Sequence, residues 1–145
     1  MNVEDIMVEP VVTCPASTAL DRVVERMLAE RIGSVVLTNE ETPSSIVTET
    51  DVLLAGFKTD RCFSEIPAKP VASSPLITVS PDTTVRMVVD RMREEGIKKL
   101  PVRADLDLVG IVTKSDIVAA QPDLLDEALH NEERQAAWES RRMEF

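Results

Sequence analysis

Two aspartates hold the same place in two closely similar phrases, Ile46-Val47-Thr48-Glu49-Thr50-Asp51 and Ile111-Val112-Thr113-Lys114-Ser115-Asp116. Each phrase begins in an apolar, β-branched run and opens a helical pattern, so each carboxylate is fixed at a strand-to-helix turn. A carboxylate there can accept hydrogen bonds from ligand hydroxyls, and charge-assisted bonds of this kind are the stronger ones. The same residue can equally favour the helix dipole with no ligand at all. Thr48 and Thr113 stand three residues before each Asp; Thr50 and Ser115 stand one before it. Hydroxyls and free N–H groups at a helix start can hold phosphate or ligand hydroxyls. They also serve as plain caps, and both uses can coexist.

Lys98 and Lys99 are adjacent cations where the earlier phrase has Gly33 and Ser34. Neighbouring side chains in a strand point to opposite faces, so at most one of the two enters a common site. The alternative is a solvated pair. Catalytic chemistry has no comparable basis: there is no nucleophile–base pair, no metal cluster and no Gly-rich phosphate loop. Cys14 and Cys62 are the only cysteines and His130 the only histidine. They make neither a disulfide framework nor a metal knuckle. The reading is a non-enzyme with no catalytic and no metal-ligating residues.

The elements that position these groups repeat at an offset of 65 residues, without a gap from Val11–Ala55 to Leu76–Ala120. A repeat this long is one supersecondary unit used twice. In the second copy Leu76–Val79 reads as a strand. Val85, Val88, Val89 and Met92 recur at helical spacing, and Gly96 sits where a C-terminal cap belongs. Lys99–Val102 and Leu108–Thr113 read as strands, with Lys114–Ala120 as a closing helix. In the first copy the strands are Val11–Thr13, Ser34–Thr38 and Ser45–Thr48. Its helices follow from the stripe Leu20, Val23, Val24, Met27 and Leu28 and from Glu49–Leu54. The expected fold is α/β (α+β): two tandem β-α-β-β-α repeats packed as a pseudo-two-fold pair, each covering the other's exposed sheet face. The expected divisions are 1–60 for the first repeat with its lead-in, 61–122 for the second with its own, and 123–145 for a helical tail. The lead-in Ser64-Glu65-Ile66 resembles Glu4-Asp5-Ile6. In the tail, Leu124, Leu125, Ala128 and Leu129 fit a helix that Ala136, Ala137 and Trp138 extend. Trp138 reads either as a dimer or partner contact or as part of a capping helix on its own core.

The formal net charge is −10, with 26 acids against 16 bases, 11 of them Arg and 5 Lys. A backbone polyanion needs a basic surface, so nucleic acid is excluded as a partner. No apolar run approaches the roughly 18 residues of a membrane span, and the acidic start lacks the plan of a signal peptide. A cytoplasmic protein without membrane contact is expected. An acid-rich, Lys-poor surface without Tyr suits concentrated salt and a halophilic archaeon; an ordinary acidic protein kept soluble by its charge is the other reading.

The repeat resembles a pair of CBS domains, the module named after cystathionine β-synthase. The resemblance rests on Ile77-Thr78-Val79-Ser80-Pro81-Asp82-Thr83-Thr84-Val85, on Gly96-Ile97-Lys98-Lys99-Leu100-Pro101-Val102, on Leu108 to Ile117, on Ile32 to Leu37 and Ile46 to Val52, and on the lead-in Val3-Glu4-Asp5-Ile6-Met7. It covers about residues 1–120. It implies a stand-alone regulatory module that binds an adenosine-containing ligand (AMP, ADP, ATP or S-adenosylmethionine) in clefts between the two repeats. It also implies a homodimer and a regulated protein partner that the sequence leaves unidentified. Asp51 and Asp116 would then accept from both ribose hydroxyls, Thr13 and Thr78 would line the adenine pocket, and a basic residue at Lys98 or Lys99 would meet phosphate. Ile32 and Ile97, with Val12 and Ile77, would sandwich the base or simply form core. Ser45 in place of Gly110, and Val36 in place of Pro101, depart from the second copy, and Ser45 is expected to narrow the first cleft. The Asp116 site would prefer phosphate and the Asp51 site a less charged ligand or none. The alternative function is a structural dimerisation or protein-interaction module with degenerate sites.

Overall fold

The structure is a computed structural model that describes residues 1–122. The tail residues Leu124, Leu125, Ala128, Leu129, His130, Ala136, Ala137 and Trp138 lie outside the described residues. The described residues divide into two packing units, one made of Val11–Leu76 and the other of Met1–Pro10 with residues 77–122.

In the first of these, β1 (Thr13–Pro15) precedes α1 (Leu20–Glu30), the hairpin β2 (Ser34–Asn39) and β3 (Thr42–Thr48), and α2 (Glu49–Thr59). The apolar spacing of α1 becomes its buried face at Leu20, Val23 and Met27, while Leu28 is exposed. The helix stops at Arg31, which takes the left-handed conformation with φ 56°. β1 pairs with β2 in parallel and β2 with β3 antiparallel, giving the sheet order β1-β2-β3. Alternation sends Cys14, Val35, Leu37 and Val47 to the face packed with α1 and α2. Helix α2 runs past Leu54, where the sequence pattern stopped. Gly56 does not end it, because its missing side chain leaves room for the Phe63 ring, 3.3 Å from where a Cβ would lie.

The other unit repeats this plan with α3 (Val85–Glu95), β4 (Lys99–Ala104), β5 (Asp107–Thr113) and α4 (Lys114–Ala120). Val85, Val88, Val89 and Met92 form the buried stripe of α3, and Gly96 caps it at φ 67°. The expected strand Leu76–Val79 is a correction: only one parallel bridge forms there, Val79 to Val102. The reasons are Pro101 and Pro81, the latter at the place of Ala16, whose N–H donates to Thr38 O at 2.8 Å. In the first copy the Val36 N–H donates to the Val12 carbonyl at 3.1 Å. Pro101 stands at the equivalent place and has no N–H to give, so the ladder loses that rung. The first copy's strand is likewise shifted, to Thr13–Pro15 from the expected Val11–Thr13.

The lead-ins cross over. The Val3 N–H donates to Thr83 O (2.8 Å), the Val85 N–H to Met1 O (3.1 Å), and Val8 exchanges bonds with Ile111 (2.8 and 3.0 Å). The matching set is Ala68 to Thr18 (3.1 Å), Leu20 to Ile66 (2.8 Å), and Ser73 with Ile46 (2.8 and 3.2 Å). Every partner is displaced by the same 65 residues. The bonding counterpart of Met1–Val8 is therefore Ile66–Ser73, which corrects the match of Glu4-Asp5-Ile6 to Ser64-Glu65-Ile66. Each lead-in completes the sheet of the copy it does not precede. Val3, fully buried, packs with Val85, Val88 and Leu100, and the packing units part after Pro10 and after Leu76.

Cys14 is buried and Cys62 exposed. Burial pushes the Cys14 thiol up, while the Arg26 guanidinium pulls weakly the other way. A raised pKa leaves less thiolate at neutral pH. In the folded protein one thiol, Cys62, is expected to react with a thiol reagent at pH 7–8, and Cys14 only after denaturation. Two fast equivalents in the native state, counted by mass spectrometry, would contradict the burial of Cys14. No helix among the described residues is long and apolar enough to cross a membrane.

Candidate functional site

Because β1 runs parallel to β2 and β3 returns antiparallel, the start of β1, the start of β2, the end of β3 and the start of α2 share one end of the sheet. Thr13 pairs with Val36, Ser34 with Thr48 and Val36 with Ile46. These residues occupy the face opposite the α1–α2 core. The same frame in the other unit pairs Lys99 with Thr113 and Pro101 with Ile111, with Thr78 one residue before the Val79 bridge. The helix start is tied in as well: the Glu49 N–H donates to Gly33 O (3.1 Å) and the Lys114 N–H to Lys98 O (2.9 Å).

Both aspartates sit at the third helical position and close a reciprocal cap. The Thr113 N–H and hydroxyl donate to Asp116 Oδ2 at 2.8 and 2.9 Å, and the Asp116 N–H donates back to Thr113 Oγ1 at 3.2 Å. The Thr48–Asp51 set repeats this at 2.9, 3.0 and 3.4 Å. Capping is thus realised in both units. The two sites differ in access. Asp51 is 1% exposed, whereas Asp116 is only half-buried. Among the described residues, Asp116 Oδ1 accepts no hydrogen bond, so that oxygen can take ligand hydroxyls while Oδ2 holds the turn.

The structure places the remaining residues as follows. Thr50 is half-buried and Ser115 exposed beside its Asp; Thr13 is exposed and Thr78 half-buried. Ile32 and Ile97 are half-buried and pack against their own unit's core. Their N–H groups close the ends of α1 and α3 on Met27 and Met92, both at 3.0 Å. Of the two lysines, Lys99 shares the face of Thr113 and Ile111, while Lys98 precedes the strand and is exposed. Two members escaped the sequence reading. Lys114 opens α4 where Glu49 opens α2, so three lysines gather in one unit where the other has Gly33, Ser34 and Glu49. Met7 reaches Gly110 from the lead-in: a Cβ there would lie 2.5 Å from its sulfur and 2.7 Å from its Cγ. The repeat offset, extended back to the first residue, would have found it.

That contact explains Ser45. The equivalent of Met7 is Ala72, so the first copy pairs a larger residue with a smaller one and keeps Ser45 buried at 5% exposure. Overpacking such a contact typically costs about 1–3 kcal/mol. Gly110→Ser is expected to destabilise by that amount, and adding Met7→Ala is expected to recover about 1 kcal/mol or more through coupling. Denaturant unfolding of the two single variants and the double variant checks this; strict additivity would show that Met7 and Gly110 do not share the space.

The family model described as CBS domain matches twice, over residues 3–58 and 66–123. The chain belongs to the CBS domain family. This CBS pair is 36% identical over 113 residues to an uncharacterized protein of Methanopyrus kandleri, covering 77% of this chain and 57% of that protein. An uncharacterized protein of Methanocaldococcus jannaschii is 28% identical over 117 residues, covering 80% and 41% respectively. The chain thus spans about half the length of these relatives. Among solved structures, a CBS domain protein of Pyrobaculum aerophilum complexed with AMP is 26% identical with a TM-score of 0.77, covering 89% of this chain and 99% of that one. A conserved CBS domain protein of Thermoplasma acidophilum has a TM-score of 0.80 at 23% identity, covering 90% and 75%, and speaks to the fold alone.

Proposed function

We propose that this CBS pair is a non-catalytic regulatory module that binds an adenosine-containing ligand, one of AMP, ADP, ATP or S-adenosylmethionine. It does so through the Thr-x-x-Asp turns at Thr48–Asp51 and Thr113–Asp116. The observation that carries the reading is Asp116: one carboxylate oxygen fixes the turn and the other has no partner among the described residues. Solvent reaches the group. The AMP complex of the Pyrobaculum aerophilum relative supports the ligand class.

The charge contrast supports unequal sites. Lys98, Lys99 and Lys114 favour a phosphorylated ligand at the second turn, since Coulomb attraction grows with every cation nearby. Glu49 with Gly33 and Ser34 favours a ligand of less negative charge at the first, or none. The module acts as a homodimer in the cytoplasm on a partner protein in this reading. Calorimetric titration with the four ligands at low and high salt is the test. Micromolar binding of one of them, weakened by salt if it is a phosphate ester, supports the proposal. The closed caps favour a second reading, an interaction scaffold whose turns need no ligand. Absence of heat for all four ligands with the protein folded would establish that reading instead.

A further inference from the structure

The outer side of α2 is apolar where a surface helix is ordinarily polar. Leu53 is 73% and Phe57 70% exposed. They stand one helical turn apart, in line with exposed Glu49, so they are neighbours on one stripe. A single exposed leucine needs no explanation; two large apolar side chains side by side make a patch. Leu28 on α1, 75% exposed, adds a third in the same unit. The second copy differs at all three places. It carries Arg93, bonded to Asp90 at 2.8 Å, half-buried Val118, and Pro122. The stripe is therefore the first copy's own and not a by-product of the repeated plan.

Its surroundings say what fits it. Between Leu53 and Phe57 lies Gly56, which has no side chain, and the Phe63 ring lies 3.3 Å from where its Cβ would be. Leu53, Gly56, Phe57 and Asp60 bound the kind of hole that takes a side chain from a facing helix. The two ends of the stripe carry opposite charge: Glu49 at the start, and Lys58, Asp60 and Arg61 at the end, with one net positive charge. Such a stripe complements itself when turned end for end, which is the condition for an isologous contact about a twofold axis.

We propose that α2 of the first copy is the contact between two molecules of this protein, packed antiparallel on the α2 of a second molecule through Leu53 and Phe57. Phe57 of each molecule enters the hole of the other, and each Glu49 meets the positive end of the facing helix. This names the surface of the homodimer in the reading above, on which it rests, and is independent of the ligand.

Sedimentation equilibrium of the full chain tests it, in about 0.15 M salt so that the repulsion between two chains of net charge −10 is screened. Leu53→Ser/Phe57→Ser is expected to raise the dimer dissociation constant at least about 100-fold, because each anchor is lost from both molecules. Glu49→Arg and Arg61→Glu should each raise it about tenfold, and combined they should restore it, since the swap only reverses the direction of the charge match. All four positions are exposed, and circular dichroism with thermal unfolding shows that the variants stay folded. A dimer unchanged by the serine pair would overturn this contact and leave the homodimer reading standing. So would charge reversals whose effects add instead of cancelling. A wild type that sediments as a monomer throughout would overturn both and leave the stripe to another partner.

Discussion

Val3→Asp is expected to unravel α3, β4 and β5 while α1, β2 and β3 keep their protection. Val3 is wholly buried among Val85, Val88, Val89 and Leu100, residues far away in sequence. A carboxylate there would sit among apolar side chains, and an unpaired charge or an unsatisfied polar group in a core is among the few single changes that cost about 3 kcal/mol or more. Against a typical stability of about 5–15 kcal/mol, that is a large fraction. Hydrogen exchange read by mass spectrometry locates the damage. Amides of α3 and β5 should exchange first, because their unit loses both the Val3 side chain and the Val3–Thr83 and Val8–Ile111 bonds. Faster exchange confined to residues 11–60 would mean that the lead-in serves the copy it precedes, and the crossed packing would be wrong.

Asp116→Ala is expected to weaken nucleotide binding about 5- to 150-fold, the equivalent of the roughly 1–3 kcal/mol lost when a hydrogen-bonding partner is deleted. Asp51→Ala should weaken it less, because Asp51 is nearly inaccessible. Stability must be followed in parallel. Each variant also breaks a reciprocal cap, worth about 1 kcal/mol. The two should therefore lose similar stability and dissimilar affinity. Calorimetric titration and thermal unfolding of both variants separate the effects. Equal and negligible losses of affinity would remove Asp51 and Asp116 from the site and leave them as caps only.

Much of the site was legible in the sequence because its defining contacts are short-range. Thr113 and Asp116 are three residues apart, and a Thr-x-x-Asp at a helix start bonds to itself whatever surrounds it. Gly96 was readable for the same reason: a left-handed residue at a helix end is a local demand. Arg31 meets that demand without being Gly, and no sequence rule would have marked it. The failed strand at Leu76–Val79 shows the limit. Its residues are good strand formers, yet the rung they lack depends on the Pro101 N–H that does not exist. Pro101 fits its own strand, where the sequence puts it, and the missing hydrogen is felt only by the neighbouring segment.

By itself the chain determined its family, its twofold repetition, the order of helices and strands, and the two aspartate turns. These follow from periodicity and capping, which act over three or four residues. Tertiary structure alone decided that Met1–Val8 serves the second copy's sheet and Ile66–Ser73 the first, that Met7 fills the space above Gly110 while Ala72 stands in its place beside Ser45, and that Asp116 meets solvent where Asp51 does not. Those outcomes depend on which backbone edge lies open and how much volume remains beside it. Hydrogen-bond pairing and packing across many residues fix both, and neither leaves a periodic trace in the chain.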